Sequence, residues 1–128
     1  LRAVKPVTLA FRLPRFIPRM LFGKPNRPGR SNEALVEKYK DKLQQGGRAS
    51  GRFVPGPVAF SQRDELAKHL RSTVASLSRI VAGMKDEDLD AYILPHPLLG
   101  KLTLREMLYF TIYHVEHHLT ITKKNLNG

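Results

Sequence analysis

Two histidines four residues apart, His114 and His118, stand in the segment Tyr113-His114-Val115-Glu116-His117-His118. On a helix they lie about 40° apart around the axis and one turn apart along it. Their Cβ atoms are then roughly 5–6 Å apart, a reach over which two imidazoles can share one metal ion. Imidazole suits zinc, nickel, copper or iron. His117 points about 60° away from His114 and about 100° away from His118, which makes it the poorer partner. The zinc-protease motif needs Glu directly after its first His to serve as base. Here Val115 follows His114 and Glu116 points elsewhere, so the pattern argues against a metalloprotease. The spacing alone also fits two core or interface histidines. Two ligands fall short of the three that a catalytic site keeps beside its open position.

The other two histidines are His69 and His96. His69 is expected at the polar edge of a helix. His96, between Pro95 and Pro97, is expected to shape a turn. Either could be recruited to the metal. Thr111 and Tyr113 are candidates for orienting the two imidazoles.

The helix that must position the pair opens with a strong local signal. Thr103 and Glu106 form a capping box, with Leu102 and Met107 spaced for a hydrophobic staple. The helix runs from there to about Lys124. Lys123 and Lys124 suit its negative C-terminal end. A second long helix is expected from about Gln62 to Ala82, capped by Ser61 and closed by Gly83. Its Leu66, Leu70, Val74, Leu77 and Val81 form one apolar stripe suited to packing on other helices. A charged turn is expected over Lys85–Asp90, and an extended or turned segment over Leu94–Pro97. No alternating strand pattern is seen.

The first half reads differently. Five of nine prolines fall in residues 1–30, which allows short helical turns around Arg15 to Phe22 and no long helix. A helix capped by Ser31 is expected over about 31–45, ended by Gly46-Gly47, followed by a linker over 46–60. Residues 1–60 carry 13 Lys/Arg and 3 Asp/Glu, a net charge of +10, whereas residues 61–128 carry 9 and 8, a net of +1. Such a basic half could meet phosphate, nucleic acid or anionic lipid. No aromatic-interleaved or helix-turn-helix pattern accompanies it, so nucleic acid is not the expected partner. No apolar run is long enough to span a membrane. Cysteine is absent, which excludes disulfides, thiolate catalysis and Cys-ligated zinc, and fits a cytoplasmic location. The chain starts at Leu1 rather than Met, and further residues are expected before it.

The stretch Leu94-Pro95-His96-Pro97-Leu98-Leu99-Gly100-Lys101-Leu102-Thr103-Leu104-Arg105-Glu106, followed by Phe110-Thr111-Ile112-Tyr113-His114-Val115-Glu116-His117-His118, resembles the C-terminal signature of the DinB-like superfamily. That signature is an HP-x-x-G-x-x-T/S-x-x-E turn and then a helix with H-x-x-H-H. Phe22-Gly23-Lys24-Pro25-Asn26-Arg27-Pro28 is similar to the long inter-helix connection of one uncharacterised branch. The resemblance implies an all-α, up-down four-helix bundle forming a single domain over 1–128. In it, 1–60 is a basic, proline-rich connection with one helix, and 61–128 holds two long bundle helices. It also implies a divalent metal, zinc or nickel first, held by three histidines. The last-helix pair falls on His114 and His118. The third, borne on the second helix of the family, has no matching position here and is expected upstream of Leu1. The first two helices are accordingly expected to be missing from this chain.

The resemblance further implies a metal-dependent enzyme, a thiol transferase or hydrolase acting on a small thiol or other small molecule, in a homodimer. The competing reading is a non-catalytic helical binding or dimerisation module whose basic surface meets acidic partners or nucleic acid.

Overall fold

Ser31 adopts extended backbone, and its hydroxyl accepts a hydrogen bond from the Ala34 N–H at 3.3 Å. This caps helix α1, Asn32–Gln44, where the sequence places it. Leu35 and Tyr39, one turn apart, are buried on one face, and Leu43 packs beside them. The helix unwinds through Gly46 and Gly47, whose N–H groups donate to the Leu43 and Lys42 carbonyls at 3.1 and 2.8 Å. Gly47 approaches closely enough that a Cβ there would stand 2.6 Å from both the Lys42 carbonyl oxygen and a Leu98 methyl. The computed structural model describes residues 23–127. The turns expected around Arg15 to Phe22 lie outside the described residues.

The linker contains two single turns of 3₁₀ helix, Gly51–Phe53 and Phe60–Gln62. Helix α2 follows at Arg63–Ala82 and is closed by Gly83, whose N–H donates to the Arg79 and Ile80 carbonyls. Ser61 does not cap it. The serine lies inside the preceding 3₁₀ turn, and the Gln62 side chain instead accepts from the Ala59 N–H at 3.1 Å. The apolar stripe of α2 forms as expected, yet no α2 residue is buried, and Leu70 and Val74 are more than half exposed.

The expected charged turn is a short helix, α3, Asp86–Ala91. Three acids in its first turn favour the positive helix end. Arg105 ties it down: the guanidinium donates to both Asp90 carboxylate oxygens at 2.9–3.1 Å and to the Asp86 carbonyl at 3.0 Å.

Next comes a hairpin that the sequence pattern did not reveal. Strands β1, Ile93–His96, and β2, Gly100–Thr103, pair antiparallel with Leu94 opposite Leu102 and His96 opposite Gly100. Four residues a side are too few for a visible alternation, and Pro95 and Pro97 argue against a strand by composition. Here the ring-fixed φ of proline suits a two-stranded ladder, which has edges on both sides. Gly100 takes a left-handed φ of 77° to leave the three-residue loop.

Helix α4, Leu104–Asn127, begins directly after the hairpin. The capping box is present in both directions: the Glu106 N–H donates to Thr103 Oγ1 at 3.1 Å, and the Thr103 N–H donates to Glu106 Oε2 at 2.8 Å. The core joins Leu35 and Tyr39 of α1 to Leu99 and Leu102 of the hairpin, with Met107, Tyr109, Phe110 and Tyr113 of α4 packed around them. Arg30 bonds Glu106 just ahead of α1, and Tyr39 meets Tyr113 and His117 further on, so α1 and α4 run side by side in the same direction. The described residues are mostly helical, with four helices, as an all-α fold requires. Among them no helix is long and apolar enough to cross a membrane.

Candidate metal centre

Glu106 fixes the start of α4, the helix that carries His114 and His118. Its side chain has no solvent exposure and accepts from Arg27 through both guanidinium nitrogens, at 2.7 and 2.9 Å. It also accepts from the Arg30 N–H at 2.9 Å and the Thr103 N–H at 2.8 Å. Burial alone would raise its pKa, but the Arg27 bonds and the two backbone N–H groups outweigh it and hold the carboxyl down at about 2. A single carboxylate thus clamps three segments: the loop before α1, the end of the hairpin and the first turn of α4.

His96 shapes the hairpin loop, as expected. Its Nδ1 accepts from the Leu98 and Leu99 N–H groups at 3.2 and 3.1 Å, which leaves the ring proton on Nε2. Burial, with His114 and Lys38 as nearby charges, lowers its pKa to about 4. The ring sits edge-on to Phe110, with centroids 4.4 Å apart. Phe110 in turn stacks on His114, with centroids 4.9 Å apart and planes 23° apart.

His114 is half-buried on the α4 face that meets α1. It is held between the Phe110 ring and the edge of Tyr39, whose centroid lies 5.9 Å away. Burial, and then the neighbouring His118 and His117, push its pKa down, which favours the neutral ring that binds metals. His118 is exposed at the rim, and its Nε2 comes within 3.0 Å of His114 Nε2. The imidazoles of His114 and His118 thus meet at their Nε2 atoms, one from the half-buried face and one from the rim.

The other histidines do not join them. His117 packs on Tyr39 and Tyr113, with centroids 5.9 Å apart in each case. His69 is exposed on α2. Among the described residues no third His, Asp or Glu completes a group able to hold a metal. Neither residue proposed to orient the imidazoles does so by hydrogen bonding. Thr111 donates its hydroxyl to the Met107 carbonyl at 2.7 Å, and Tyr113 lies against Tyr39 and His117. Sequence reasoning missed the actual supports, Tyr39 and Phe110. Both are aromatics at core positions, and nothing local to either marks it as facing a histidine.

A family model described as the DinB superfamily matches residues 10–121. Neither the curated proteins nor the solved structures returned a match. That model covers most of the chain, including the capping box, the hairpin and both converging histidines, and so the chain belongs to the DinB superfamily.

Proposed function

We propose that the protein is a metal-dependent enzyme, a thiol transferase or hydrolase, whose divalent ion is held by His114 and His118. The single observation that carries this is the 3.0 Å between the two Nε2 atoms. Two imidazoles bonded to one ion at about 2.0–2.1 Å hold their nitrogens about 3.3 Å apart in a tetrahedral site and about 2.9 Å apart at neighbouring octahedral positions, which bracket this separation. The donor set is all imidazole, which suits zinc or nickel. A third protein donor is expected from outside residues 23–127.

When bound, the ion supplies Lewis-acid chemistry, lowering the pKa of a coordinated water or thiol. The rest is done by the chain. Tyr39 and Phe110 lock the His114 ring and keep water from its buried side. Burial disfavours the protonated His114 ring, and an ion between the rings would displace the proton through which the two Nε2 atoms hydrogen-bond. His118 stands at the rim, where a small thiol or other small molecule can reach the open side. Pairing of two copies belongs to the same proposal.

Calorimetric titration with zinc or nickel tests it. His114→Ala and His118→Ala should each remove most of the binding, while His117→Ala should leave it within about threefold, under 1 kcal/mol. Loss of binding in His117→Ala alone would mean that the wrong face has been assigned.

A further inference from the structure

Three half-buried cations gather around one carboxylate. Glu106 is already fully engaged: Arg27 takes both its oxygens, and the Arg30 and Thr103 N–H groups complete its shell. The Arg30 guanidinium reaches it through Nη1 alone, at 3.3 Å, on an oxygen that holds two shorter bonds. The Nε–Nη2 edge of that guanidinium makes no hydrogen bond among the described residues, although the side chain is only 27% exposed. Lys38 uses one of its three N–H donors on the Leu99 carbonyl, at 2.8 Å. Glu33, Glu37 and Asp41 of α1 are exposed, and none forms an ion pair with either cation among the described residues.

The electrostatics agree with this geometry. Burial lowers the Lys38 pKa, and repulsion by Arg30 and then Arg27 lowers it further, each outweighing the attraction of Glu106. Together Arg27, Arg30, Lys38 and Glu106 carry a net charge of +2. Like charges held partly out of water are costly until an anion joins them.

We propose that Arg30 and Lys38 form a binding site for a phosphate dianion, the terminal group of a phosphorylated small molecule. A phosphate monoester carries about −1.5 to −2 charge near pH 7, which matches the excess, and offers three acceptor oxygens. The unused Nε–Nη2 edge of Arg30 suits two of them, and the Lys38 ammonium suits a third. A phosphodiester, as in a nucleic-acid backbone, carries a single charge and leaves one cation unbalanced. A carboxylate has the same shortfall. The site is built from α1 and the loop ahead of it, and it does not rest on the metal.

Titration of the metal-free 128-residue chain with inorganic phosphate, phenyl phosphate and dimethyl phosphate, at constant ionic strength, tests this. The readouts are the Arg30 Nε–H and Lys38 Cε resonances, with circular dichroism as the check on folding. Both dianions should bind with a dissociation constant on the order of 1 mM, and the diester about fivefold or more weaker. Arg30→Gln keeps the backbone N–H that bonds Glu106, and Lys38→Gln removes the second cation. Each should weaken phosphate binding about fivefold or more, whereas the exposed Lys40→Gln on the other side of α1 should leave it within about twofold. No movement of either resonance at millimolar phosphate overturns the proposal. So does Lys40→Gln weakening binding as much as Lys38→Gln, which would mean diffuse attraction to a basic surface. Dimethyl phosphate binding as tightly as phenyl phosphate would overturn the choice of a dianion. Exclusion of phenyl phosphate by a site that takes inorganic phosphate would overturn the choice of a phosphorylated molecule.

Discussion

Arg27 and Glu106, 79 residues apart in the chain, meet through two hydrogen bonds of 2.7 and 2.9 Å on a carboxylate sealed from solvent. The pair joins the loop ahead of α1 to the first turn of α4, and so sets how Tyr39 approaches His114. Removing the charge while keeping the shape, as in Glu106→Gln, leaves Arg27 facing a neutral group. Because Arg27 is partly exposed, the expected cost is about 1.5–3 kcal/mol, that of losing hydrogen bonds to a charged group. Urea unfolding measures it, and a change under about 0.5 kcal/mol would contradict the clamp.

The same groups predict how stability depends on pH. Glu106 has its folded pKa lowered to about 2 from an ordinary 4.5, so the unfolded chain binds its proton first as pH falls. Its contribution is fully present above pH 4.5 and is lost as pH falls through 2. His96 has its folded pKa lowered to about 4 from 6.5, so stability falls earlier, between pH 6.5 and 4, as the unfolded chain gains the proton that the buried ring refuses. Denaturant midpoints between pH 7 and pH 2.5 should decline in these two successive steps. A midpoint that holds constant from pH 7 to pH 4 would contradict the burial of His96.

Thr103→Ala removes the acceptor for the Glu106 N–H and should cost about 1 kcal/mol, typical of a lost N-cap. The Thr103 N–H keeps its bond to Glu106, so the loss should not exceed about 2 kcal/mol. Thermal or urea unfolding that shows no change would place the start of α4 elsewhere.

Gly47→Ala should be costlier than its size implies. The added methyl meets the Lys42 carbonyl oxygen as well as the flexible Leu98 side chain, and the backbone atom cannot easily yield. A loss of about 1–3 kcal/mol is expected, as for overpacking elsewhere. The neighbouring Gly56→Ala, with open space around its Cβ, serves as the control and should stay within about 0.5 kcal/mol.

What could be read from the sequence was what is local. The Thr103–Glu106 box spans three residues, the His114–His118 pair spans four, and the Ser31 cap acts on Ala34, so helical spacing alone placed all three. Glu106 was visible as half of a capping box but not as the receiver of Arg27. That pairing depends on a chain reversal, and Arg27 is one of 13 basic residues in the first 60. The hairpin was hidden because Pro95 sits inside a strand of four residues and Pro97 directly follows it. Tyr39 stands four residues after Leu35, a helical spacing, but spacing does not say which helix that face meets. Ser61 had the right composition for a cap and lost the role to a 3₁₀ turn one residue too early.

Nitrogen-15 spectra of the five histidines, recorded while zinc is added, test the central claim most directly. The account predicts that the Nε2 resonances of His114 and His118 move together into the metal-bound range. The signals of His69, His96 and His117 should stay where they are, with the Nδ1 of His96 still hydrogen-bonded to the loop. Movement of His117 in place of His118, or of one histidine alone, would contradict it.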